Sequence, residues 1–244
     1  MIVYGRNPVA EALRGRRAAS VSDIWASDGA AREPSLKEAQ SRGVQVRIAS
    51  APEIERRCGS TAHQGVCAQA GDYPYASADE LLAGSEPVLV ALDQVQDPQN
   101  LGSICRTAEC AGATGVVIPE RRAAEVTAAV CKASAGAVEH LAVAQVRNVA
   151  DFLADARRAG CWCYGASAGT VDERAPVPYD APDYAGAGVV LVLGSEGSGL
   201  RPRVAKACDQ LIAVPVLGRV ESLGVSAAAA AVLYEILQRR AKGP

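Results

Sequence analysis

Short apolar runs alternate with polar stretches of helical spacing from the first residues of the chain. Asn7-Pro8 reads as an N-cap and first helical position ahead of VAEALR. VSDIWAS follows as a strand, LKEAQSRG as a helix stopped by Gly43, Val44 to Ile48 as a second strand, Pro52 to Arg57 as a short helix and GVCAQA as a third strand. The pattern predicts a small α/β unit over residues 1–75, with the polar, Pro-containing stretch from Gly71 to Pro87 as exit and linker. Beyond Pro87, PVLVALD, GATGVVIP and AGVVLVLG are β-branched, almost wholly apolar runs, the kind buried on both faces of a parallel sheet. The chain closes on an alanine-rich helix from about Ser226 to Arg240, where Leu233, Ile236 and Leu237 oppose Glu235, Arg239 and Arg240. The expected fold class is therefore α/β, with a larger domain over 87–244 built on a mainly parallel sheet.

Composition narrows the class. With 244 residues there is room for two modest domains, each with its own core. The apolar runs Val189 to Leu193 and Ala227 to Leu233 are too short to span a bilayer, and MIVYGRNPVAEALRG lacks the pattern of a signal peptide. A cytoplasmic protein with no membrane partner is expected. Eight cysteines, at 58, 67, 105, 110, 131, 161, 163 and 208, sit mostly in apolar stretches rather than in paired C-x-x-C motifs, and only two histidines accompany them. Cys161 and Cys163 fall on one face of the strand-like CWCYGAS, which favours packing over metal binding; no metal is expected. The formal charge of −2 argues against holding nucleic acid by overall charge. Residues 1–75 nevertheless carry ten basic against eight acidic side chains, and residues 76–244 fifteen against nineteen, so any electropositive face would favour the first part.

Three segments carry candidate chemistry. The first, LDQVQDPQNLGSICRTAECAGATGVVI, is a strand, a turn on Asp97-Pro98 and a helix that Asn100 is placed to cap. Leu101, Ile104, Cys105 and Ala108 form its apolar face, and Arg106 projects from the other side, just past the carboxyl end of a strand where open α/β sheets bind ligands. The second, GVVLVLGSEGSGLRPRVAKAC, runs a buried strand into a turn at Gly194, Gly197 and Gly199 that can present backbone N–H groups. Glu196 inside those glycines is an acid that a purely structural turn does not need. In the third, IAVPVLGRVESLGVSAAAAAVLYEILQRR, Gly218, Glu221, Ser222 and Gly224 form a loop before the alanine helix, with Ser222 or Ser226 as its cap in the simplest structural reading.

In this order and spacing the three segments resemble the motifs of the SpoU-type branch of the SPOUT RNA methyltransferases, over roughly Val88 to Arg240. GRNPVAEAL and HQGVCA resemble the small substrate-binding domain of bacterial 23S rRNA guanosine 2′-O-methyltransferases, and KASAGAVEHLAV adds to the likeness. The resemblance implies a trefoil knot, with the C-terminal helix threaded behind the glycine-rich loop, and a homodimer whose two subunits complete one site. It also implies S-adenosylmethionine held at Leu193, Gly194, Val214, Leu217 and Leu223, and a catalytic set of Arg106, Asn100, Glu196 and Ser222 acting on RNA rather than DNA. One departure stands out. The family usually shows S-L-N-V-S in the third motif, whereas this chain reads Ser222-Leu223-Gly224-Val225-Ser226.

Gly224 keeps alive a second reading, an RNA-binding relative that has lost catalysis. A nicotinamide oxidoreductase would place its glycine fingerprint after an early strand, not near the end of the chain. A serine hydrolase is disfavoured because GSEGSG is not G-x-S-x-G and neither His63 nor His140 has an evident triad partner.

Overall fold

The computed structural model describes residues 1–220 and 222–242, with only the backbone at 242. The chain divides into two units, Met1–Pro74 together with Val126–His140, and Tyr75–Glu125 together with Leu141 onward. In chain order the first unit holds β1 (Ile2–Tyr4), α1 (Arg6–Ala12), β2 (Asp23–Ala26), α2 (Pro34–Ser41), β3 (Gln45–Ile48), α3 (Ala51–Cys58) and β4 (Val66–Gln69). The sheet order is β1-β4-β2-β3, with β4 antiparallel to β1 and β2, and β3 parallel to β2. Three strands were expected; β1 is a short fourth. Gly43 ends α2 with φ +88, as its position predicts.

The N-cap expected at Asn7 is not formed. Helix α1 begins at Arg6, after Gly5 with φ 97, and no side chain caps it from that position. Instead Gln64 Oε1 accepts the Arg6 N–H at 3.2 Å. Pro8 thus falls in the first turn, where its missing N–H has no helical partner to lose.

The chain continues with α4 (Ala78–Leu82), β5 (Val88–Asp93), α5 (Pro98–Cys110), β6 (Gly115–Pro119), α6 (Ala128–Ala133), β7 (Ala142–Val146), α7 (Val149–Arg158), β8 (Cys161–Ala166), β9 (Val177–Pro178), β10 (Gly188–Gly194), α8 (Pro202–Ala207), β11 (Gln210–Ala213) and α9 (Val225–Lys242). Part of the expected linker is structured: Ser77 and Glu80 form a capping box on α4, and Leu81 is buried in the second unit's core. Helix α6 belongs to the first unit, to which the whole segment Val126–His140 contributes.

The second unit is built on a seven-stranded sheet of order β7-β6-β5-β10-β8-β11-β9, every pair parallel. On one face Ala91, Val117, Cys163, Val190 and Val192 pack with Phe152 and Leu153 of α7 and Val204 of α8. Helices α5 and α9 pack together, burying Leu101, Ile104, Val232, Leu233 and Ile236. Among the described residues no helix is long and apolar enough to cross a membrane.

Strand order places the site. From β5 the chain moves by α5 to β6 on one side; from β10 it moves by α8 to β11 on the other. Adjacent strands whose crossovers diverge leave a crevice outside their carboxyl ends. Here that crevice lies beyond Asp93 and Gly194, which are register partners.

Candidate active site at the carboxyl ends of β5 and β10

Asp97, not Asn100, caps α5: its carboxylate accepts the Gln99 N–H at 3.0 Å, and Pro98 takes the first helical position. Asn100 is thereby moved into the first turn with its amide free to reach outward. It donates from Nδ2 to Glu196 Oε1 at 2.7 Å, joining the first and second sequence segments. A cleft of about 350 Å³ opens at this bond, lined by Gln94, Val95, Gln96, Asp97, Asn100, Ser195, Glu196 and Ser198.

Glu196 owes its place to a tight loop. Ser195 and Gly199 exchange backbone hydrogen bonds of 3.1 and 3.0 Å, and Gly197 and Gly199 take φ of +89 and +65. Gly194 has no room for a side chain: a Cβ there would lie 2.1 Å from the carbonyl carbon of Gly199 and 2.4 Å from the Leu200 nitrogen. Across the loop, Ser195 Oγ and Ser198 Oγ stand 2.6 Å apart.

Sequence reasoning missed the brace beneath this loop. Asp93, wholly buried at the end of β5, accepts the Arg201 backbone N–H at 2.9 Å and its Nε–H at 2.7 Å. A carboxylate so placed ties the far end of the glycine loop to β5. The one available signal was an acid terminating the otherwise apolar run VLVALD.

Arg106 stands apart from that cluster. Six residues after Asn100, it is rotated about 240° around α5; it is exposed and makes no hydrogen bond or ion pair with any described residue. The expected contact of Asn100 or Glu196 with Arg106 is therefore not made within one chain. Leu193 is buried, so only its backbone and that of Gly194 face the crevice. After β11 the chain runs through Val214, half-buried, to Leu217, 97% exposed, and then Val220 and Leu223, also exposed. Ser222 is exposed as well, and Glu221 lies outside the described residues. Neither expected serine cap is formed: α9 begins at Val225, and the Gly224 carbonyl accepts the Ala228 N–H at 3.0 Å. Gly224 itself has φ +84.

The remaining candidates take structural positions. Cys161 and Cys163 are both buried on one face of β8, while Trp162 between them is exposed. Burial pushes the Cys163 thiol up, and no group of three or more metal-ligating side chains occurs among the described residues. His63 is buried, its Nδ1 accepting the Gly65 N–H at 2.9 Å. His140 is exposed, its Nε2 2.8 Å from a Glu11 carboxylate oxygen.

Comparison with known proteins gives the family. The SpoU rRNA Methylase family model matches residues 87–234, and the model for RNA 2'-O ribose methyltransferase substrate binding matches residues 2–76. A TrmH-family tRNA/rRNA methyltransferase of Bacillus subtilis is similar at 35% identity over 246 residues, covering 98% of this chain and 95% of that one. The AdoMet-bound rRNA methyltransferase of Sinorhizobium meliloti superposes with a TM-score of 0.80 at 26% identity, over 97% of this chain and 86% of that one. The SpoU methyltransferase AviRb of Streptomyces viridochromogenes, in complex with AdoMet, also gives 0.80, at 25% identity over 100% and 91%. The chain belongs to the SpoU family of RNA methyltransferases, with a substrate-binding domain preceding the methylase domain.

Proposed function

We propose that this protein transfers a methyl group from S-adenosylmethionine to a ribose 2′-hydroxyl of structured RNA, a guanosine of 23S rRNA being the substrate the sequence likeness favours. The carrying observation is the Asn100–Glu196 hydrogen bond, which draws the first two motifs together at the switch point of the sheet.

The residues present fit a nucleoside-bearing methyl donor. Val216, Leu217, Val220 and Leu223, in the stretch that joins β11 to α9, hold exposed apolar side chains, a surface suited to an adenine ring. Gly194, bare of side chain, leaves its backbone open to a close neighbour. Leu193, Gly194, Val214, Leu217 and Leu223 are the residues we assign to holding the donor. When bound, S-adenosylmethionine supplies a methyl group on an electron-poor sulfonium.

The protein's own task is to orient a hydroxyl in line and to accommodate the proton it loses. A guanidinium keeps its proton in proteins, so Arg106 acts as a fixed cation that grips the ribose or an adjacent phosphate and offsets charge building on the oxygen. Asn100 and Glu196 hold each other and the loop, and Ser222 adds a hydroxyl from the third motif. Arg106 has no hydrogen-bond or ionic partner among the described residues and lies on a different side of α5 from Asn100, which supports a homodimer in which one copy's Arg106 serves the other's cleft. Threading of α9 as a trefoil knot, and a cytoplasmic location, belong to the same reading.

Gly224 favours one alternative, an RNA-binding protein with weakened catalysis. Calorimetry with S-adenosylmethionine, followed by radiolabel transfer to unmodified rRNA and to tRNA, separates them: donor binding with label in one RNA supports methyl transfer, and RNA binding without either supports the alternative.

A further inference from the structure

The first unit carries a second concave site, unconnected with the methylase motifs. The pairings Ile2–Gln69–Asp23 and Tyr4–Cys67–Trp25 run across β1, β4 and β2, and cross-strand partners share a face, so Ile2, Gln69 and Trp25 line one side of the sheet. Helix α3 covers half of that side, its Ile54 packed with Cys67 and Ala49 and with Trp25 against them. The other half is open as a cleft of about 510 Å³, lined by Ile2, Trp25, Glu53, Arg56, Arg57 and Gln69.

Each of these residues has a role to offer. The Arg57 guanidinium lies 4.4 Å over the Trp25 ring and is anchored by Glu53 at 2.9 Å. Indole and guanidinium planes are both surfaces on which unpaired bases stack. Gln69 donates from Nε2 to the Ala70 carbonyl at 3.3 Å, leaving its side-chain oxygen to read a base edge. Arg56 is exposed and has no ionic partner among the described residues, a free cation beside the stack. The cleft is large enough for one base with its sugar.

We propose that this face of the substrate-binding domain takes one unpaired nucleotide of the RNA, its base against Trp25 and Arg57, its edge at Gln69 and its phosphate at Arg56. The proposal rests on RNA being the substrate and assigns where the first unit grips it. It implies that RNA with an exposed loop is preferred over continuous duplex.

Tryptophan fluorescence tests it in a Trp162→Phe background, which leaves Trp25 as the reporter. The probes are an RNA hairpin with a single-stranded loop and the same sequence annealed to its full complement. The expected result is quenching by the hairpin and little by the duplex. Trp25→Leu should weaken hairpin binding about tenfold, with Trp25→Phe restoring most of it and S-adenosylmethionine affinity unchanged. Should Trp25→Leu fail to fold, Arg56→Ser carries the test: its log-log salt dependence of hairpin binding should fall by about one. Equal quenching by both RNAs overturns the site, as does unchanged affinity in Trp25→Leu or, in the fallback, an unchanged salt slope in Arg56→Ser. If the hairpin is methylated and bound normally by these variants, only this site is lost; if the wild type binds no RNA, the functional reading falls with it.

Discussion

Arg17 and Glu139, 122 residues apart, form an ion pair with both side chains almost wholly buried inside the first unit. Arg17 Nε donates to Glu139 Oε2 at 3.1 Å, a second bond joins Nη2 to Oε1, and the guanidinium stands 5.7 Å over the Tyr73 ring. Removing one partner from such a pair leaves a desolvated charge uncompensated. Glu139→Ala is therefore expected to lower unfolding free energy by about 3–5 kcal/mol, measured by urea titration. Replacing both, as Arg17→Met with Glu139→Leu, should cost less than Glu139→Ala alone; the reverse order would show that the pair is not what holds segment 126–140 in place.

That pair marks where sequence reading stopped. The apolar runs that became β5, β6 and β10 were legible because strands buried on both faces tolerate almost no polar residue. Glu196 was legible as a misfit among glycines. Hidden were features made by distant partners: Asp93 with Arg201, and Glu139 with Arg17, each an unremarkable charge until folding buries it. Local signals also misled. Asn100 and Asn7 both looked like caps, but Asp97 took one position and Gly5 with Gln64 the other, freeing Asn100 for Glu196. Strand β1, three residues at a sheet edge, is too short for a periodicity to show.

Two glycines in the motifs should respond oppositely to substitution. Gly194→Ala places a methyl 2.1 Å from the Gly199 carbonyl carbon, far inside van der Waals contact with backbone; it should abolish donor binding by calorimetry while costing about 1–3 kcal/mol of stability. Gly224 has open space around a built Cβ, and its φ of +84 is a conformation that asparagine tolerates better than other side chains. Gly224→Asn should fold within about 1 kcal/mol of the wild type and methylate at least as fast, whereas Gly224→Val should be the less stable of the two. A folded, active Gly194→Ala would contradict the loop geometry.

The buried thiols predict a pH dependence. Burial pushes Cys67 and Cys131 up to about 11 and Cys208 up to about 12, from an ordinary 9.0. A raised folded-state value means the unfolded chain ionises first, so this stability is complete below about pH 9 and is lost as pH climbs through the folded values. Thermal midpoints should fall steadily above pH 9. At pH 8 a maleimide should label the exposed Cys110 first and leave Cys67, Cys131 and Cys208 unmodified until unfolding; rapid labelling of Cys208 would contradict its burial.

Mixing inactive variants tests the shared site. If one copy's Arg106 serves the partner's Glu196 cleft, an equimolar mixture of Arg106→Ala and Glu196→Ala, allowed to exchange subunits, regains up to about a quarter of wild-type activity, since half the dimers hold one intact site. Each variant alone should be inactive. No recovery after verified exchange would place Arg106 with its own chain's cleft.

The central claim, that Arg106 acts on the ribose hydroxyl at a cleft organised by Asn100 and Glu196, is met most directly by radiolabel transfer from S-adenosylmethionine to unmodified rRNA with Arg106→Ala. The prediction is loss of transfer to background with donor affinity within about twofold of wild type, as expected for a group that acts on the reacting oxygen rather than on the donor. Transfer at the wild-type rate would contradict it.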